Sequence, residues 1–402
     1  MTLDPLYFYP LLAAFLMAVA CSMVGVLLFT SSRLLVGETL SHAAYPGAVI
    51  GAAVFASFRL DYGFIIVAAG ITAAIGKMVL EWLMHKRKTS ADAALCFVLA
   101  SFFGLGVLIS SYMQAREPLA YKQALVYLFG QVATMTRIHV ILYALLTLII
   151  LLVIVLFYKE LKTYHFDKNF AILAVPRWLP LLVSIITVLA LVISMRSVGV
   201  VLLSAMLVAP ATAARWWSKR LSTMFILAIF FGALSAIVGG YYSITLDAPT
   251  GPMIAVTATA LALISLIIAP GRGLLARFIQ KAKFTWKCRA ENILKAIYKK
   301  ESIHLPVFQK RIAFVLLRLK GFVHGSSLTV KGEVHALQVI RLHRLFELYL
   351  TEQVGLDKDH VHSIAEDAEH YITPDIEKEI DLELNFPEKD PHKQPIPKKV
   401  HL

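Results

Sequence analysis

Apolar runs dominate the first two-thirds of the chain, at about 8–30, 38–57, 63–84, 93–113, 139–158, 178–195, 198–217, 222–244 and 251–270. A hydrocarbon core about 30 Å thick is crossed by roughly 20 helical residues, so these runs predict membrane-spanning helices. The second run is short and the sixth and seventh nearly touch, which leaves about 8–10 spans compatible with the pattern. The first run lacks a basic leader, is too long for a cleaved signal core and precedes many others, so it reads as a membrane helix. Beyond about residue 272 the pattern changes. ENILKAIYK (291–299), residues 306–320 and VHALQVIRLHRLFELYLTEQVGL (334–356) carry helical periodicity among many charges. The pattern predicts an all-α polytopic membrane domain over 1–271, a linker over 272–290 and a small, mostly α, water-soluble domain over 291–402.

Composition sharpens that division. Nine of the 13 histidines lie beyond residue 272, although the chain as a whole is only 16% charged. The formal charge of +13 would point to nucleic acid in a soluble protein. Here basic residues cluster in short loops: His85 to Lys88, then Lys159, Lys162, Lys168 and Arg177, then Arg215, Lys219 and Arg220. With nine spans these clusters and the tail share one side, while the opposite loops hold fewer. By the positive-inside rule the tail is cytoplasmic and the chain a multi-pass protein of the cell inner membrane. Cys21, Cys96 and Cys288 are scattered, with neither disulfide nor thiolate-site spacing. No Gly-rich phosphate loop followed by Lys-Ser/Thr occurs, so the chain is not expected to be an enzyme and any ATP hydrolysis belongs to a separate subunit.

The most informative stretch is GETLSHAAYPGAVIG, residues 37–51. Glu38 and His42 are four apart and project from one face of a helix. A carboxylate and an imidazole on one face form half of a site for a first-row divalent ion. Pro46 removes the helical hydrogen bond to the His42 carbonyl and leaves another oxygen available. The bland alternative is a Glu–His pair that satisfies itself between helices. Asp247, in a short loop, is either a residue at the mouth of an ion route or a helix cap.

Residues 37–51 resemble the G-D-x-x-S-H-x-x-x-P-G signature of the zinc/manganese/iron ABC permease family, with Glu38 standing where that family usually has Asp. YLFGQV (127–132), KELKTYHFDKNFA (159–171), VGVVLLSAMLVAPATAAR (198–215) and DAPTGPMI (247–254) resemble further blocks of that family, in order. The resemblance implies the membrane subunit of an ATP-driven importer for zinc, manganese or iron, with Glu38, His42 and Asp247 on the ion's route. It implies a separate ATPase docking on Lys159, Glu160, Phe166, Asp167, Phe170 and Ala171; the polar, basic segment 159–177 by itself fits a short helix capped by Asp167. It also implies a periplasmic or lipid-anchored metal-binding protein and a second permease subunit, with no tightly bound cofactor besides the transported or sensed ion.

RLHRLFELYL, HSIAEDAEHYI and PHKQPIP resemble the diphtheria toxin repressor family of metal-dependent regulators, which implies a winged-helix and dimerisation-like tail. His343 and Glu347 are one helical turn apart, as are His362 and Glu366; Glu366, Glu369 and His370 follow an i, i+3, i+4 stripe. Such donors suit manganese, iron or zinc, though a solvated face of charge pairs has the same spacing. Two departures stand out. Asn292 and Lys295 occupy positions where that family has metal ligands, and Lys295 opposes a cation. Only one amphipathic helix, about 306–320, precedes the wing-like GFVHGSSLTVKG, too little for a recognition helix with its support. DNA binding by the tail is therefore doubtful. The competing function is a membrane-tethered or released metal-dependent transcriptional regulator.

Overall fold

Apolar side chains that would be costly in water line the outside of the first two-thirds of the chain, and they do so in stripes. The computed structural model describes residues 5–31, 34–58, 62–86, 89–166, 175–302, 306–325 and 327–399. The chain divides into two compact units, Met1–Ala276 and Arg277–Leu402.

In the first unit each of the nine apolar runs forms a long helix: α1 (Pro5–Thr30), α2 (Leu34–Phe58), α3 (Tyr62–Lys86), α4 (Ala91–Arg116), α6 (Arg137–Leu156), α8 (Leu179–Val198), α9 (Val200–Trp217), α10 (Leu221–Thr245) and α11 (Thr250–Ile268). Two shorter helices, α5 (Pro118–Phe129) and α7 (Tyr158–Phe166), lie between them. Among the described residues eight of the long helices are long and apolar enough to cross a membrane by composition alone. The ninth is α2, whose first half carries Glu38, Thr39, Ser41 and His42. On α6, Ile138, Ile141, Leu145, Leu148, Leu152 and Val155 are exposed at intervals of three and four. That stripe marks a lipid-facing surface, while Tyr143, Leu146, Ile150 and Ile154 face inward.

The unit is organised around α1, of whose apolar span 72% is buried, against 22% for α6. It packs against α6, α9 and α10. Small residues allow close crossings where lipid supplies no hydrophobic drive between helices. A Cβ at Gly25 would lie 2.0 Å from the Leu207 carbonyl oxygen of α9, so nothing larger than hydrogen fits there. Helix α5 starts with Pro118 in its first turn and stops at Gly130, whose φ of 77° is left-handed. Gly199 ends α8 with φ 86°, and a Cβ on either glycine would meet the other's backbone nitrogen at 2.6 Å. The Gln131 amide donates to the Arg196 carbonyl beside this crossing.

The second unit begins inside a continuous helix, α12 (Leu274–Lys299), so the stretch expected as a linker is helical from Leu274 onward. No Gly or Pro interrupts 274–299, and nothing in that stretch breaks the backbone hydrogen-bond ladder. Then come α13 (Val307–Leu319), a two-residue hairpin of β1 (Val323–His324) and β2 (Ser327–Leu328), α14 (Val330–Glu352), α15 (Val361–Ala368) and α16 (Pro374–Glu383). The strands pair antiparallel, Val323 opposite Leu328. Ile293, Leu294, Ala313, Leu317 and Val323 form one small core; Leu345, Leu348, Ile380, Leu384 and Ile396 form another. Residues 389–397 close against α14 through Arg344, which donates to the Gln394 side chain and the Pro395 carbonyl.

Candidate metal sites

Glu38 and His42 lie on α2, which packs chiefly against α3 and α4. Both side chains are half-buried, between the sequestered Thr39, Leu40, Ser41 and Ala43. The His42 ring stands edge-on to Phe103 of α4, centroids 4.8 Å apart. Its Nδ1 is buried and has no hydrogen-bond partner, so the self-satisfying Glu–His pair does not form at that nitrogen. An unpaired buried ring nitrogen is a ligand atom left free, and such atoms are uncommon where they serve only structure. Around Pro46, the Thr72 hydroxyl of α3 reaches the Ala44 carbonyl at 3.3 Å. Two cavities of this unit, about 110 and 250 Å³, have neither Glu38 nor His42 in their walls.

Asp247 is exposed, in a left-handed turn (φ 50°) between α10 and α11. The cap position of α11 belongs to Pro249, and Ser243 rather than Asp247 bonds Thr250, so Asp247 is not the cap of that helix. Lys159 and Glu160 lie in α7, Lys159 exposed. This helix is pinned by the fully buried Leu161 and by His165, whose Nε2 lies 3.1 Å from the Leu27 carbonyl oxygen of α1. Phe166 is its last residue; Asp167, Phe170 and Ala171, with the cap expected at Asp167, lie outside the described residues.

In the second unit, among the described residues, one group of three His and carboxylate donors comes together: His343, Glu347 and His362. His343 Nε2 lies 3.1 Å from Glu347 Oε1 and 3.0 Å from His362 Nδ1, and that nitrogen lies 2.8 Å from the same carboxylate oxygen. The one-turn spacing on α14 supplies the first two donors and α15 supplies the third. His343 and Glu347 are buried, whereas the His362 side chain is 61% exposed and opens the cluster to solvent. Behind it, Glu369 Oε2 accepts from His343 Nδ1 at 2.6 Å. That bond fixes a proton on Nδ1 and turns Nε2 toward Glu347 and His362, as supporting carboxylates do for metal-ligating histidines. Two nitrogens and a carboxylate oxygen fit a first-row divalent ion. Burial opposes ionisation of Glu347, but its bonds to His343 and His362 prevail and hold its carboxyl at about 2. Burial likewise works against protonating His343, and its bonds to Glu347 and Glu369 win, raising its pKa.

Among the described residues the Glu366–Glu369–His370 stripe does not come together as one donor group. Helix α15 ends at Ala368, so Glu366 stays exposed while Glu369 and His370 turn inward. Sequence reasoning missed their partners on α12. Glu369 receives Lys295 at 3.1 Å on each oxygen. His370 Nδ1 lies 2.7 Å from Glu291 Oε2, and His335 Nε2 3.3 Å from the other oxygen of Glu291. Burial of Glu291 is outweighed by those histidines and by Lys287, and its carboxyl stays at about 2. The signal available was the i, i+4 pair Glu291–Lys295 on one face of α12.

Comparison with known proteins identifies the first unit. Residues 4–269, about two-thirds of the chain, match the ABC 3 transport family. The chain belongs to that family. As a member of the ABC 3 transport family it is a multi-pass membrane transport subunit. A probable metal transport system membrane protein of Chlamydia trachomatis is 32% identical over 99% of this chain and 97% of its own length, so the likeness runs through both units. A zinc transport system membrane protein of Treponema pallidum is 31% identical over 71% of this chain and 93% of its own. The fold is that of the PsaBC structure from Streptococcus pneumoniae, with TM-score 0.60 and 24% identity over 69% of this chain and 96% of that one. Residues 329–398 match the metal binding and dimerisation domain of iron dependent repressors. These matches favour the transport reading over that of a regulator that happens to be membrane-tethered.

Proposed function

We propose that this chain carries a divalent transition-metal ion, manganese, zinc or iron, inward across the cell inner membrane as the permease of an ATP-driven importer. The relatives named for manganese, zinc and iron transport support that ion class. The observation that carries the proposal is the buried, unpartnered Nδ1 of His42, one turn from Glu38 on α2, whose first half also carries Thr39 and Ser41. In this reading Glu38 and His42 are transient ligands, and the exposed Asp247 lies at the outer mouth. A separate ATPase docks on α7 and the residues after it, from Lys159 and Glu160 to Phe166, Asp167, Phe170 and Ala171. A periplasmic or lipid-anchored protein delivers the ion, and a second permease subunit completes the pore.

The tail, in the cytoplasm, holds an ion of the same class at His343, Glu347 and His362 and so reports the internal ion level. Sequence-specific DNA binding by the tail is not part of this reading, since among the described residues only α13 separates α12 from the hairpin. Cells with and without the chain, each limited in turn for manganese, zinc or iron, are compared by elemental analysis. Loss of one of these metals from the deletion strain is expected; unchanged contents of all three would overturn the proposal.

A further inference from the structure

Beside the His343–Glu347–His362 cluster lies a second set of donors of the kind that holds a metal ion, and the cation facing it belongs to the protein. The Glu369 side chain is wholly sequestered, with both oxygens 3.1 Å from Lys295 Nζ. The next residue, His370, is buried, and its Nε2 lies 3.8 Å from Glu369 Oε1 with no hydrogen-bond partner. Asn292 Oδ1, one turn before Lys295 on α12, is also buried and unpartnered. A carboxylate, an imidazole nitrogen and an amide oxygen suit a divalent ion. An ammonium that donates only to Glu369 leaves the other two unsatisfied, a costly arrangement in a small core.

We propose that the Lys295 ammonium is a built-in cation standing where a second divalent ion would bind, so that the tail takes up one ion, at His343, Glu347 and His362, and not two. The proposal rests, for that first ion, on the function proposed above. The ammonium does one thing an ion at Glu369 would do. It holds that carboxylate in place by both oxygens, so that Oε2 stays on His343 Nδ1. His343 therefore presents Nε2 to the cluster at any ion concentration, and the tail needs only one binding event to fill. His370 Nε2 and Asn292 Oδ1 are then the remaining donors of the displaced site.

The test uses the full-length chain in detergent, dialysed against manganese(II) chloride and assayed for manganese per chain, so that any ion held by the membrane unit cancels between variants. Lys295→Glu removes the ammonium and adds a carboxylate; it is expected to gain one ion per chain over the unsubstituted protein. Lys295→Gln removes the charge at similar size, and its tail is expected to melt lower without manganese and to regain the difference with it. Equal manganese content in Lys295→Glu and the unsubstituted chain overturns the proposal. If Lys295→Glu does not fold, a Lys295→Gln melting temperature that manganese does not restore overturns it instead. Glu347→Ala examines the first ion separately: an unchanged content there, beside a gain in Lys295→Glu, removes the cluster reading and leaves Lys295 in its assigned role.

Discussion

His343 of α14 and Glu369, just past the end of α15, share a hydrogen bond of 2.6 Å that decides which nitrogen of the histidine faces the donor cluster. Glu369 acts only through His343, whereas Glu366 is exposed. Replacing Glu369 by Gln is therefore expected to weaken ion binding by the tail about 10- to 100-fold, and Glu366→Gln is expected to leave it unchanged. Titration calorimetry of both variants checks this, and equal losses would restore the stripe read from the sequence.

Acid stability of the tail follows from its buried carboxylates. Glu291 and Glu347 are held at about 2, below the ordinary 4.5, and Glu377 is lowered against its burial by Arg341, Gln338 and Lys399. Each folded-state value lies below the unfolded one. Their stabilisation is thus complete above pH 4.5 and is lost as the pH falls from there toward 2. His343 has the opposite sign: its contribution is full below 6.5 and is lost as the pH rises through its raised folded value. Circular dichroism melts of the metal-free chain should show the tail transition dropping below pH 4.5 and declining more gently above neutrality. Added manganese should raise it most at the alkaline end, where protons no longer compete for His343.

Arg341 is the main fixed point of the tail's second core. Its Nε bonds Glu377 at 3.0 Å, one Nη bonds both oxygens of Asp381 at 2.6 and 2.7 Å, and the other bonds the Pro397 carbonyl. Arg341→Ala leaves the buried Asp381 without its partner and Glu377 with only Gln338 and Lys399, a loss of about 3–5 kcal/mol. Limited proteolysis should then cut between α14 and the C-terminus in the variant but not in the unsubstituted chain.

In the membrane unit, Gly25 and Gly104 offer a matched pair. A Cβ at Gly25 would collide with the Leu207 backbone, whereas nothing lies within 4 Å of one at Gly104. Gly25→Ala is expected to lower the yield of folded protein and its detergent melting temperature, and Gly104→Ala to change neither.

The division of labour between sequence and structure is physical. Nine helices were legible because a bilayer demands about 20 apolar residues for each, and the pair His343–Glu347 because helical spacing alone brings it together. Projection failed at Glu369 and His370, since α15 stops at Ala368 and the two residues turn away from Glu366. Helix α12 was read late because its first turns expose Leu274, Leu275 and Phe278 and lack a buried stripe. The Lys295–Glu369 pair joins residues 74 positions apart, and no local pattern announces it.

Radiolabelled manganese and zinc uptake by cells carrying His42→Ala tests the ion route most directly, with membrane abundance of the chain and recovery of its ATPase partner measured alongside. The expected result is loss of accumulation with abundance and partner recovery intact. Uptake at the unsubstituted rate would take His42, and with it the proposed path along α2, out of the transport mechanism.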